Sequence, residues 1–140
     1  MDPISQGVLG AVVSQTFGRK PAADEPEQSK VSLGKVGLIG CLAAMAPDLD
    51  VLISSATDPL LALEFHRHFT HSLLFIPLGA LICSLVLHPL LGRRWQLPFK
   101  LTFIWCLLGY ATHALLDGCT TYGTQLLWPL SDKRFAWDSV

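Results

Sequence analysis

Apolar and polar positions alternate in long blocks along this chain, and four apolar blocks stand out: 4–17, 31–46, 71–91 and 97–116. The first is shorter than the roughly 20 residues needed to cross a bilayer. It is expected to lie at the interface, or to dip inward with Ser5, Gln6, Ser14 and Gln15 facing other helices. The second is rich in Gly and Ala (GLIGCLAAMA) and stops at Pro47; small residues of this kind let membrane helices approach closely. The third, HSLLFIPLGALICSLVLHPLL, has no full charge and reads as the clearest span, kinked at Pro77 and ending near Pro89,. The fourth carries Lys100 early, then Trp105 and Tyr110. Between the first two, the charged, Pro-containing segment GRKPAADEPEQSK reads as a solvated loop,. The pattern predicts an all-α integral membrane protein with about four helical segments. It forms a single domain over 1–140, with 18–30 as a cytoplasmic loop.

Composition sharpens that picture. Of the 140 residues, 51% are apolar and 15% charged, against about a quarter charged in ordinary soluble domains. The mean hydropathy is +0.44. A net charge of -1 supplies no electrostatic reason to expect nucleic acid,. The N-terminal residues begin with an acid and Pro3 and lack the basic region of a cleavable signal peptide,. Cys41, Cys83, Cys106 and Cys119 form no C-x-x-C pair, so neither a disulfide framework nor a zinc–thiolate cluster is expected,. They read as small apolar residues, Cys119 alone lying near polar groups.

The basic residues assign sides. Arg19, Lys20, Lys30 and Lys35 flank the connector between blocks one and two, and Arg93, Arg94 and Lys100 that between blocks three and four. An alternating path puts both connectors on one side, which the positive-inside rule makes cytoplasmic. Arg67, Lys133 and Arg134 are left for the other side.

That other side collects the chemistry. Asp48 and Asp50 follow block two in APDLDVL; His66, His68 and His71 precede block three in FHRHFTHS; His113 and Asp117 close block four in YATHALLDG. Each group has a plain alternative. A D-x-D often caps a following helix. His113 and Asp117, four residues apart, share a helix face and can simply hydrogen-bond. His66 and His71 diverge on an ideal helix and converge only if His71 sits in a first turn, where Thr70 is the expected cap beside Ser72. His88, at the basic end, reads as an interfacial bystander. Jointly the set is more specific, because acids and imidazoles near a bilayer are costly unless they pair or bind an ion. Mixed imidazole and carboxylate ligands suit zinc, with manganese and iron as alternatives, better than calcium.

The segments MDPISQGVLGA, APDLDVL, HRHFTHS and THALLDGCTTYGTQLLWPLSDKRFAWD, in this order, resemble the YdjM-type family of membrane-bound, metal-dependent hydrolases, described as inner-membrane hydrolases and in some members under a LexA-linked label. The resemblance covers nearly the whole chain. It implies a metal site at Asp48, Asp50, His66, His71, His113 and Asp117, with Gln6 as a weaker ligand or an outer group; Thr70, next to His71, is the other outer group expected. Some relatives place a His near the position of Gln6. His68 does not match the family pattern. Family members are often longer, with further spans after the W-x-L-S-D-x-R-F segment, so the chain is expected to be a shortened form.

The expected function is metal-dependent hydrolysis of a phosphoester or similar bond at the membrane surface, on the non-cytoplasmic face of a bacterial-type inner membrane. Asp50 is the candidate general base and Arg67 the group that pairs with an anionic substrate; a lipid-phosphate anchor is the plain alternative for Arg67. Asp132, Lys133 and Arg134 either complete the pocket or cap the last segment. Expected partners are membrane lipid and a small-molecule or lipid-linked substrate. The competing reading is a divalent-metal transporter or metal sensor. The apolar middles of blocks three and four weigh against a conduit.

Overall fold

The computed structural model describes residues 2–17, 31–52, 69–120, 124–131 and 133–137, with the backbone alone at 50–52 and 69. Four α-helices are present among them: α1 (Pro3–Phe17), α2 (Leu33–Met45), α3 (Ile76–Leu87) and α4 (Phe99–Gly118). Two 3₁₀ turns, Pro47–Leu52 and Phe69–His71, follow α2 and precede α3, and a π turn, His88–Gly92, extends α3. The fold is all-helical. Among the described residues the one extended pairing is an isolated bridge between Thr124 and Phe135.

The helices are arranged inside out relative to a soluble bundle. On α1 the buried residues are Gln6, Gly7, Gly10 and Ser14, whereas Val8 is 57% exposed. On α3 the buried stripe is Ile76, Gly79, Ala80 and Ser84, and the outer face carries Leu78, Leu81, Ile82, Leu85 and Val86. In water a helix turns its apolar stripe inward. A small, partly polar interior with a contiguous apolar exterior is what lipid as solvent selects.

Small residues set how close the axes come. A Cβ added to Gly40 on α2 would lie 2.6 Å from the Gly10 carbonyl oxygen of α1, and one on Gly109 of α4 would lie 3.0 Å from the carbonyl carbon of Gly40. The obstacles are backbone, so side-chain motion cannot relieve them. Above this contact, Ser14 of α1 donates to the Trp105 carbonyl of α4 at 3.3 Å. Helix α4 packs against the other three helices, whereas α2 and α3 barely touch. The core between them is Val36, Ile39, Ala80, Trp105, Cys106 and Tyr110.

Length corrects one expectation. Block three was the expected clearest span, but α3 starts at Ile76, and its apolar helix, Ile76–Gly92, is shorter than a full span. By length and composition α4, with 20 residues, is the membrane-span candidate among the described residues, about 30 Å at 1.5 Å per residue. Regular helix begins late because residues 71–75 are bent, with Phe75 N–H donating to both the carbonyl and the hydroxyl of Ser72. Pro77 therefore falls in the first turn, where its missing N–H is harmless, and does not kink the helix,.

The path sorts the charges. The start of α1, the ends of α2 and α4 and the approach to α3 share one end of the bundle. Lys35, Arg93, Arg94 and Lys100 share the other, where Lys35 Nζ lies 5.6 Å from the Trp95 ring centroid. His88 is at that basic end, its Nδ1 3.2 Å from Thr102 Oγ1.

Candidate metal centre

At the opposite end, three segments deliver four side chains to one point. Pro47 ends α2, and the chain coils into the 3₁₀ turn that carries Asp48. Asp48 therefore does not cap an α-helix; its Oδ1 lies 3.3 Å from His113 Nε2. His71 closes the turn before α3. Tyr110 OH holds this turn by donating to the Thr70 carbonyl at 2.9 Å, and the Leu73 N–H binds the Leu126 carbonyl at 2.8 Å. His113 and Asp117 project from one face of α4, one turn apart, with Nε2 and Oδ2 separated by 3.3 Å. Between the segments, His71 Nε2 is 2.9 Å from His113 Nε2 and 3.2 Å from Asp117 Oδ2.

The donor set fits a metal ion. One atom from each of Asp48, His71, His113 and Asp117 lies within 4.8 Å of the others. Ligands about 2.0–2.1 Å from a tetrahedral ion stand about 3.3 Å apart, and the measured separations bracket that edge. His113 Nδ1 donates to the Ala44 carbonyl at 2.6 Å. A carbonyl only accepts, so this bond fixes the proton on Nδ1 and turns the Nε2 lone pair of the neutral ring into the cluster. Two imidazole nitrogens facing each other beside two carboxylates need a shared proton or a cation between them. The C-termini of α2 and α4 also point their negative ends here, which favours a cation further.

Burial makes the arrangement costly without such a partner. His71 and His113 are fully buried and the Asp117 side chain is 1% exposed, whereas Asp48 retains 21%. For Asp48, burial raises the carboxyl pKa, but with a proton rather than an ion at His113 Nε2 the hydrogen bond and charge of that ring outweigh burial and hold it below its ordinary value. Gln6 is buried against the cluster, with Nε2 donating to Asp117 Oδ1 at 2.9 Å. Its Oε1 has no hydrogen-bond partner although buried, the condition expected where a polar site takes up an ion or water.

Gln6 thus holds Asp117 so that Oδ2 faces the imidazoles. Replacing it, Gln6→Ala, should weaken metal affinity about 10- to 100-fold while leaving binding stoichiometry unchanged; isothermal titration on the detergent-purified protein reads both.

Of the residues singled out from the sequence, Asp48, His71, His113 and Asp117 lie together, and Gln6 touches Asp117. The side chain of Asp50, on the same turn as Asp48, and His66, Arg67, His68 and Asp132 lie outside the described residues. Thr70 is not a helix cap: its Oγ1 contacts His71 Nδ1 at 2.8 Å, and Ser72 makes the turn. Cys119, at the end of α4, is not in the four-residue group. Lys133 and Arg134 are exposed on a segment that returns to the site end, where Trp137 N–H binds the Gly118 carbonyl at 3.1 Å. Two contributors had not been singled out for the site. The Ala44 carbonyl carries no side-chain signal. Tyr110 stands three residues before His113 on the same helix face, a spacing that could have found it.

An apolar-surfaced helical bundle with a His/Asp cluster that could hold a divalent ion at one end has the character of a membrane protein with a candidate metal site. The chain belongs to the YdjM family: the family model described as YdjM inner membrane protein matches residues 1–140. It is 38% identical over 113 residues to Inner membrane protein YbcI of Escherichia coli (strain K12), covering 76% of this chain and 61% of that protein. It is 30% identical over 126 residues to Uncharacterized protein YfhP of Bacillus subtilis (strain 168), covering 89% of this chain and 37% of that one. The chain therefore spans less than two thirds of the length of either relative. No solved structure matches it.

Proposed function

We propose that this chain is a membrane-bound, metal-dependent hydrolase acting on a phosphoester or similar bond at the non-cytoplasmic surface of the inner membrane, which its helices cross in multiple passes. The observation that supports this best is the cluster itself: three buried ligands and one, Asp48, open to solvent at the end of the bundle. Asp48, His71, His113 and Asp117 hold the ion, with Asp50 and His66 completing the set the family resemblance implies. Zinc suits these ligands best. When bound, the ion supplies Lewis-acid polarisation of the phosphoryl oxygen and acidifies water at neutral pH.

The chain's own residues do the rest. Asp50 takes a proton from the attacking water, Arg67 pairs with the substrate anion, and Gln6 keeps Asp117 oriented. The water oxygen forms the new bond to phosphorus, the bond to the alcohol oxygen breaks, and that oxygen leaves with a proton. Hydrolysis is favoured over transport because Val36, Ile39, Ala80, Trp105 and Cys106 fill the bundle below the site. Among the described residues, that filling leaves no ladder of His or carboxylate ligands for an ion to follow,.

The test is a phosphoesterase assay on purified protein with added zinc or manganese. Asp50→Asn should abolish turnover with helical content unchanged, since an amide cannot act as the base. Arg67→Ala should mainly raise KM. Turnover that survives a chelator, or metal flux into proteoliposomes without hydrolysis, would reject the reading. For orientation, Arg94→Cys should react only with reagents that reach the cytoplasm.

A further inference from the structure

Where α2 and α3 diverge, a cavity of about 570 Å³ opens beside the metal centre. Leu42 and Met45 of α2 form one wall, Ile82 and Val86 of α3 the other, and Tyr110 of α4 contributes to the lining. Its upper end reaches Pro47 and Thr70. Pro47 adjoins Asp48, and Thr70 touches His71, so the end of the apolar cavity lies next to the ligand cluster, whose four residues do not themselves line it. From Phe75 to Leu87 it follows α3 for about 18 Å at 1.5 Å per residue, slightly more than half of a hydrocarbon core about 30 Å thick. Leu42 is 39% exposed, Ile82 50% and Val86 53%, so the cavity faces sideways, toward the surroundings that the bundle's outer surface also meets.

We propose that this cleft holds one hydrocarbon chain of a membrane lipid whose phosphoester head reaches Asp48, so that the substrate is a long-chain lipid phosphoester drawn laterally from one leaflet. The inference rests on the hydrolase reading above and names its substrate class. Three observations select this occupant: an apolar trough about one leaflet deep, a lateral mouth between exposed apolar side chains, and beside its top a His/Asp cluster that could hold a divalent cation. A soluble phosphoester would use only the last. Hydrolysis at the phosphorus leaves the lipid alcohol, with its proton, in the cleft and releases the phosphate-bearing fragment at the Asp48 side.

The experiment uses the full chain in lipid nanodiscs containing phosphatidic acid with a diazirine near the end of its acyl chain. Photolysis should label peptides covering 42–49 and 79–87. Ile82→Trp, which fills the cleft from an exposed position, should cut that labelling about tenfold, a change of about 1.4 kcal/mol in binding free energy. Leu85→Trp, 59% exposed on the same helix and outside the cleft lining, should leave it unchanged. In parallel, hydrolysis of phosphatidic acid and of soluble para-nitrophenyl phosphate is measured with added zinc. Ile82→Trp should reduce the first and spare the second. Labelling spread over the outer faces of α1 and α3 and indifferent to Ile82→Trp overturns the cleft proposal, while turnover of the soluble ester still upholds the hydrolase. Cleft labelling without turnover of either ester overturns the hydrolase and keeps the cleft as a lipid site.

Discussion

The His113→Ala protein should bind no stoichiometric divalent ion, where the unaltered chain binds about one per molecule. His113 contributes twice: Nε2 faces His71, Asp48 and Asp117, and Nδ1 is tied to the Ala44 carbonyl. Removing it deletes a ligand and the bond that ties α4 to the end of α2. The loss should therefore exceed the roughly 10- to 100-fold typical of disturbing an outer support. His71→Ala should behave alike, since its Nε2 meets the same groups. His88→Ala, at the far end of the bundle, should retain the metal. Elemental analysis of gel-filtered protein, with circular dichroism to verify helix content, reads all three.

A second large effect is expected from Gly109→Leu. The new side chain would be driven into the backbone of Gly40, where even a Cβ finds a carbonyl carbon at 3.0 Å. Helices α2 and α4 would have to separate. Overpacking by one or two methylenes costs about 1–3 kcal/mol, and a rigid backbone obstacle leaves less room for relaxation than a side chain does. Gly109 lies one turn before His113, and Gly40 one turn before Ala44, so separation should also pull the metal ligands apart. The expected result is a bundle of lower thermal stability in detergent that has lost its metal. Unaltered melting temperature and metal content would show that the close approach is not needed.

Much of this architecture was legible in the sequence, and for identifiable reasons. The four apolar blocks became the four helices, although by length and composition α4 is the one membrane-span candidate among the described residues. His113 and Asp117 were readable as a pair since four residues is one helical turn. The convergence of Asp48 and His71 on that pair followed from counting helix ends, with the basic connectors at 18–30 and 92–100 marking the opposite end. The inside-out packing was less visible. Gln6 and Ser14 announced a polar interior to α1, yet which face of α2 met Gly109 depends on axial rotation, which no local pattern fixes. Block three misled because its apolar run continues through residues 71–75. The Ser72 turn and the capture of His71 by the cluster delay the helix to Ile76. The cleft between α2 and α3 could not be read at all, since it arises from two helices failing to touch.

Extended X-ray absorption at the metal edge of zinc-loaded protein tests the central claim most directly. The account predicts imidazole multiple scattering from at least two histidines and a first shell of nitrogen and oxygen at about 2.0–2.2 Å. A first shell containing sulfur at about 2.3 Å, or one of oxygen alone without imidazole, would contradict it.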